Sequence, residues 1–120
     1  MTTSYTELTD EINKGILELR KHVPDAMSGF GALAKSAIRA GALTEIEKEL
    51  IALAIGVSTH CSACIGFHAK ALVRLGASKE QLMEALGVTV YMGGGPGLMY
   101  AAEAVRAFEE FSAKARAAAT

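Results

Sequence analysis

The 120-residue sequence predicts an all-α fold, one domain built as a bundle of about six helices, and three observations carry that prediction. Hydrophobic residues make up 51% of the chain while aromatics make up 6% and tryptophan is absent, so alanine and aliphatic side chains supply the apolar surface. Such a composition suits closely packed helices, whereas a β-sandwich would draw on more Val, Thr, Tyr and Trp. Helix start and stop signals recur along the chain, and apolar residues fall at three- and four-residue intervals between them.

A first helix is expected over about 7–22, where Leu8, Ile12, Ile16 and Leu19 form one apolar stripe and Pro24 ends the run. Pro24 then suits the first turn of a second helix reaching about residue 40, with Phe30, Leu33, Ala37 and Ile38 inward and Gly41 as a left-handed cap. Thr44 and Glu47 make a capping box for a third helix through Ile46, Leu50, Leu53 and Val57, which Ser58-Thr59-His60 interrupts. A fourth helix starts near Cys61 and stops at Gly76, and Ser78 with Gln81 caps a fifth through Leu82, Leu86 and Val90 to about Met92. Val88-Thr89-Val90-Tyr91 has the composition of a strand, but it lies between a capping box and a helix breaker and is read as helix.

The breaker is Gly93-Gly94-Gly95-Pro96-Gly97, after which Pro96 opens a final helix through Leu98, Ala101, Val105, Phe108 and Phe111, ahead of a fraying Lys/Arg/Ala-rich tail. This segment lacks the Gly-Lys-Ser/Thr ending and the preceding strand of a phosphate loop, so a kink that lets two helices meet closely is expected. Met83, Met92 and Met99, with Tyr91 and Tyr100, are assigned to the core or to a subunit interface rather than to a channel. No repeat or linker divides the chain, and one domain is expected over 1–120.

Twelve basic against thirteen acidic residues leave a net charge of −1, which gives no electrostatic footprint for nucleic acid or an anionic bilayer. The first residues lack the basic start and apolar run of a secretory signal, and no stretch approaches ~18 uninterrupted apolar residues, so a cytoplasmic protein away from membranes is expected.

Chemistry concentrates in Cys61-Ser-Ala-Cys64-Ile-Gly-Phe-His68, which places the only two cysteines and an imidazole on one helical face. A sulfur in the first turn of the fourth helix sits near unpaired N–H groups that favour thiolate, which makes Cys61 the exposed, exchange-ready sulfur. Cys64 lies a turn deeper, with His68 four positions on as its base. If the third and fourth helices fold back around residues 58–60, Glu49 and His68 both lie ~12–14 Å from the turn, at one height, where a carboxylate can hold the imidazole's tautomer. Small Ala52 and Gly56 on the same face as Glu49 leave room for that neighbour. His60 is read as a partly exposed turn histidine. A redox dithiol is the preferred reading, and the expected βαβ pattern of a thioredoxin fold is missing. Two inert buried cysteines, a structural disulfide, and a zinc site using Cys61, Cys64 and His68 with His22 or His60 remain as alternatives.

Glu49 followed by Cys61-x-x-Cys64-x-x-x-His68 resembles the signature of the AhpD-like alkylhydroperoxidases within the carboxymuconolactone decarboxylase family. The likeness extends to Leu-Gly-Ala-Ser at 75–78 and to the Met92–Tyr100 segment, covering about residues 20–112. The resemblance implies a helical subunit assembled as a homotrimer or homohexamer, and an oxidoreductase that reduces hydroperoxides or relays electrons from a lipoyl-type dithiol, carried on a lipoylated protein, towards a peroxiredoxin. It implies Cys61 and Cys64 as the redox pair, His68 and Glu49 as the proton relay, and no bound cofactor or metal. Ala63 departs from the pattern, since AhpD itself has a histidine between the cysteines. A decarboxylase-type lyase acting on a small carboxylated ring, and a zinc-binding helical oligomer without catalysis, are the alternative functions. The sequence shows no cationic cluster suited to the carboxylates of the former.

Overall fold

The computed structural model of the chain describes residues 4–119, and every regular element among them is helical: α1 (Tyr5–His22), α2 (Pro24–Ile38), α3 (Glu45–Ser58), α4 (Ser62–Leu75) and α5 (Lys79–Ala119). Local signals set most of these limits. Ser4 caps α1 by accepting the Glu7 N–H at 3.0 Å, so that helix starts two residues before the expected position. Only Val23 separates α1 from α2, with Pro24 at the first position of the new helix. Both halves of the capping box form at α3, where Thr44 Oγ1 accepts from Glu47 N–H at 3.1 Å and Glu47 Oε1 from Thr44 N–H at 2.7 Å. Ser78 and Gln81 do the same at the start of α5, and Gly76 ends α4 in the left-handed conformation at φ 81°.

The end of α2 differs from the expectation. The helix stops at Ile38 and the chain turns extended at Arg39 (φ −55°, ψ 134°), so the left-handed cap foreseen at Gly41 is not used. Instead Lys48 Nζ donates to the Arg39 carbonyl at 2.6 Å and Gly41 N–H to the Leu43 carbonyl at 2.9 Å. The fifth and sixth expected helices run together as α5, bent at one non-helical residue, Gly94 (φ 64°, ψ −146°). A side chain at that φ would be strained, which is why the breaker bends the helix at a glycine. The alanine-rich tail stays helical to Ala119 although its residues are exposed, consistent with the helix propensity of alanine.

The core lies between α3, α4 and α5, where Leu53, Val57, Ile65, Leu72 and Leu82 are wholly buried. Each such aliphatic side chain contributes about 1.5–3 kcal/mol from apolar area removed from water. From α1 the buried residues are Tyr5 and Thr9, while Ile12 and Leu19 of the expected stripe remain exposed. The cause is at Gly66 on α4, where a Cβ would stand 2.9 Å from Thr9 Cγ2 and 3.1 Å from Tyr5 Cδ1. The helices approach there, and Thr9 tolerates burial because its hydroxyl donates to the Tyr5 carbonyl at 2.9 Å. Helix α2 buries nothing: Phe30 and Leu33, foreseen inward, are 67% and 65% exposed. It meets α1 and α3 but neither α4 nor α5, so its apolar face has no core to enter within one chain. Met83, Tyr91, Met92 and Met99 likewise lie on the surface of the single chain and not in its core.

The first turn of α1 is tied to α5 by one carboxylate. Glu110 accepts from Tyr5 N–H at 3.0 Å and from Thr6 N–H and Oγ1, each at 2.8 Å. Burial works against ionisation of Glu110, but these donations from Thr6 and Tyr5 outweigh it and hold the carboxyl below its ordinary value. A depressed carboxylate contributes stability above its unfolded value of 4.5, and that contribution is lost as the pH falls through the lower folded-state value. Amide protection at the start of α1 is therefore expected to fall on acidification before that of the core. In Glu110→Gln about 1 kcal/mol of that anchoring is expected to be lost already at neutral pH, read by hydrogen exchange as protection factors.

Candidate redox site

Helix α3 ends in a Schellman turn, with His60 N–H donating to the Val57 carbonyl at 3.2 Å and Cys61 N–H to the Gly56 carbonyl at 2.9 Å. His60 takes the left-handed position at φ 57°, where glycine is usual. The turn delivers Cys61 as the N-cap of α4, one position before the first turn in which it was expected. Its sulfur accepts the Cys64 N–H at 3.2 Å, so after reduction a helix-terminal donor is in place to stabilise the Cys61 thiolate. Cys61 and Cys64 are joined as a disulfide with their Cα atoms 5.2 Å apart, and both residues are half-buried.

Folding back at residues 58–60 brings Glu49 opposite His68 at the height the residue count predicts. His68 Nδ1 lies 2.6 Å from Glu49 Oε1, and Glu49 is only 6% exposed. An ionised carboxylate can only accept, so Nδ1 carries the hydrogen and Nε2 of the neutral ring is left to exchange a proton. His68 stands one turn after Cys64 on the same helix. At Gly56 α3 packs closely on α4, since a Cβ there would lie 3.1 Å from Cys64 Cβ. Cys64 is held by both its helix and the disulfide and cannot give way. Gly56→Ala is expected to cost about 1–2 kcal/mol, measured as a lower melting temperature of the oxidised protein.

His60 is exposed and stacks on Tyr100, ring centroids 4.5 Å apart and planes 5° from parallel. A second polar cluster, which lines an open groove together with Ser62, is not signalled by the sequence motif. Tyr5 Oη donates to Glu103 Oε1 at 2.6 Å, Arg106 donates to the same oxygen at 2.7 Å, and the guanidinium lies 4.7 Å from the Tyr5 ring centroid. Burial first, and then the Glu103 carboxylate, push the Tyr5 phenol far above its ordinary value. Donation from Tyr5 and then Arg106 holds Glu103 low. The Glu103 and Arg106 pair is visible in sequence as an i, i+3 match, but its link to Tyr5 crosses 98 positions. Among the described residues no group of three or more His, Cys, Asp or Glu side chains gathers as a metal site, and no helix is long and apolar enough to cross a membrane.

The fold is similar to the crystal structure of a carboxymuconolactone decarboxylase family protein from Legionella pneumophila, with a TM-score of 0.89 and 52% identity over 90% of this chain and 96% of that one. A protein of the same family from Thermotoga maritima, for which a part in antioxidative response has been suggested, is 27% identical at a TM-score of 0.81, covering 93% of this chain and 96% of its own. An uncharacterized protein of Cupriavidus necator is 41% identical over 113 residues, which are 94% of this chain and the whole of that protein. The sequence profile described as "Carboxymuconolactone decarboxylase family" matches residues 24–107, which hold α2 to α4, both cysteines, His68 and Glu49. With that match over most of its length and the same helical frame as these relatives, the chain belongs to the carboxymuconolactone decarboxylase family.

Proposed function

We propose that the protein is a dithiol-dependent peroxidase or disulfide reductase of the AhpD-like type. The observation that carries this reading is a disulfide-forming pair at the start of α4, one turn from an imidazole held by a buried carboxylate. In the reduced protein, His68 Nε2 takes the Cys64 proton, and the Cys64 thiolate attacks a hydroperoxide oxygen. The O–O bond breaks, His68 returns the proton to the departing alkoxide, and Cys64 becomes a sulfenic acid. The Cys61 thiolate then attacks the Cys64 sulfur, forming the disulfide and releasing the oxygen as water after protonation. An external dithiol restores both thiols.

The antioxidative suggestion made for the Thermotoga maritima relative agrees with this chemistry. Ala63 offers no side chain for proton transfer, so in this chain the relay consists of His68 and Glu49 alone. The donor is a lipoyl-type dithiol, and a lipoylated protein and a peroxiredoxin are the partners to be sought. The exposed Phe30 and Leu33 of α2 support self-association, as a homotrimer or homohexamer. Purified protein given a hydroperoxide and dihydrolipoamide is expected to consume the peroxide catalytically and to lose and regain two thiols. Absence of peroxide consumption with any dithiol, together with no reversible loss of thiols, would overturn the reading.

A further inference from the structure

The turn that delivers Cys61 holds a residue in an uncommon backbone conformation. His60 is left-handed at φ 57°, the one positive-φ residue other than glycine among the described residues. Glycine would take that position without strain, and among the residues with side chains Asn, Asp and His adopt it most readily. Of those three only histidine brings an aromatic ring. That ring lies flat on Tyr100, with centroids 4.5 Å apart and planes 5° from parallel, in the range of an offset stack. The residue at this position therefore meets two demands at once, a left-handed backbone and a ring for Tyr100, and the turn alone would need only the first.

Elsewhere the turn stands off α5. Ser58, Thr59 and His60 are all exposed, and Thr59 Oγ1 donates back into its own helix, to the Ile55 carbonyl at 2.8 Å. Between the turn and the bend of α5 lies an open cleft of about 410 Å³, with Ser58 and His60 on one side and Thr89, Met92 and Pro96 on the other. Close packing does not hold the turn across that cleft. The stack bridges it, and Tyr100 is a firm anchor because it packs, partly buried, against the core. Cys61 follows His60 directly as the N-cap of α4, at a helix end, where fraying begins. In the oxidised protein the bond to Cys64 keeps the two Cα atoms 5.2 Å apart. Once that bond opens, the stack of His60 on Tyr100 is what ties the Cys61 end of the turn to α5.

We propose that His60 is a positioning residue which, clasped on Tyr100, keeps the Cys61 sulfur within reach of Cys64 while the pair is open. This rests on the dithiol reading above and adds to it a group outside the cysteines, His68 and Glu49. The step it serves is closure of the pair. The Cys61 thiolate attacks the sulfenic sulfur of Cys64, the S–S bond forms as the S–O bond breaks, and the oxygen leaves as hydroxide, which takes up a proton to become water. Cys61 is oxidised and the sulfenic sulfur is reduced. The rate depends on how often the thiolate stands in line with the breaking S–O bond, and a turn held to α5 raises that fraction. The clasp and the disulfide restrain the same few residues, so each forms more readily when the other is in place. Removing the clasp gives freedom to the open dithiol that the closed disulfide cannot share, and so disfavours closure.

The test equilibrates the full-length protein with glutathione redox buffers, without peroxide, and reads the fraction of the pair that is closed. His60 is exposed, so His60→Asn disturbs no core; it keeps a residue suited to the left-handed position and removes the ring. Tyr100→Leu removes the ring on the other side of the stack. Each is expected to lower the equilibrium constant for disulfide formation about tenfold, which raises the reduction potential by about 30 mV. Tyr100→Phe keeps the stacking face and should retain the wild-type potential, and the His60→Asn/Tyr100→Leu double variant should shift no further than either single one. A contact that merely stabilised the fold would support the oxidised and reduced proteins alike and leave the potential where it is. An unchanged potential in either single variant, shifts that add in the double variant, or a Tyr100→Phe shift as large as that of Tyr100→Leu would overturn the positioning role. A wild-type pair that does not pass between dithiol and disulfide in any of these buffers would overturn the redox reading itself, and the positioning role with it.

Discussion

Serine in place of Cys64 is expected to abolish dithiol-driven peroxide consumption, a loss of about three orders of magnitude or more, because a hydroxyl is neither ionised by an imidazole at neutral pH nor oxidised by a peroxide. The choice of Cys64 over Cys61 as the attacking sulfur rests on the leaving group. Cleaving a hydroperoxide releases an alkoxide that must be protonated, and the imidazole able to supply that proton stands one turn from Cys64 and is held by Glu49 at 2.6 Å. Cys61 has a different asset, the Cys64 N–H at 3.2 Å from its sulfur, which stabilises a thiolate without supplying a proton to an oxygen. In Cys61→Ser, one equivalent of peroxide is expected to leave a sulfenic acid on Cys64 that cannot close to a disulfide, detected by trapping and mass spectrometry. Oxidation confined to Cys61 in the reciprocal variant, with Cys64 inert, would reverse the order. Turnover of a carboxylated lactone that survives Cys64→Ser would favour the lyase alternative.

Why the site could be anticipated from sequence while parts of the fold could not is a matter of the range of the interactions involved. Thr44 with Glu47, Ser78 with Gln81, and Gly76 act over three or four residues, and each forms the cap its spacing implies. The opposition of Glu49 and His68 needed only the rise per residue and one reversal, since two helices joined by a tight turn have a fixed register. The stripe of α1 is met only in part, since Leu8 packs on the core and Ile16 is half-buried while Ile12 and Leu19 are exposed, and the reason is different. Periodicity shows that a face is apolar, but which residues are covered depends on where the neighbour comes close. That place is Gly66, which draws in Tyr5 and Thr9 and leaves Ile12 and Leu19 outside. Threonine scores as polar in any such pattern, and only the bond from its hydroxyl to the Tyr5 carbonyl makes its burial tolerable. Phe30 and Leu33 have the same origin, an apolar face read correctly and an inward direction assumed, on a helix that does not reach α4 or α5. The Tyr5, Glu103 and Arg106 cluster joins the two ends of the chain, beyond the reach of any local rule.

Loss of the imidazole is expected to be the second large effect, and it separates chemistry from stability. His68→Gln should lower the rate of Cys64 oxidation in single turnover about 10²–10⁴-fold, the usual worth of a positioned acid and base, and Glu49→Gln about 10–100-fold, since Glu49 acts by orienting the ring. Stability should follow the opposite ranking of charge. His68→Ala leaves a carboxylate that is 6% exposed without its partner, whereas Glu49→Gln removes the charge and keeps an amide oxygen for Nδ1–H. The former is expected to cost about 2–3 kcal/mol, below the range for a fully enclosed pair because the His68 side chain is 32% exposed, and the latter about 1 kcal/mol or less. A double Glu49→Gln/His68→Ala variant should therefore be more stable than His68→Ala alone and no more active. Denaturant melts of the four proteins, with stopped-flow oxidation of each, would show this coupling. Equal stability losses in the single variants, or a His68→Gln protein that oxidises at the wild-type rate, would mean that the 2.6 Å contact is a packing feature and that Cys64 is activated by another group.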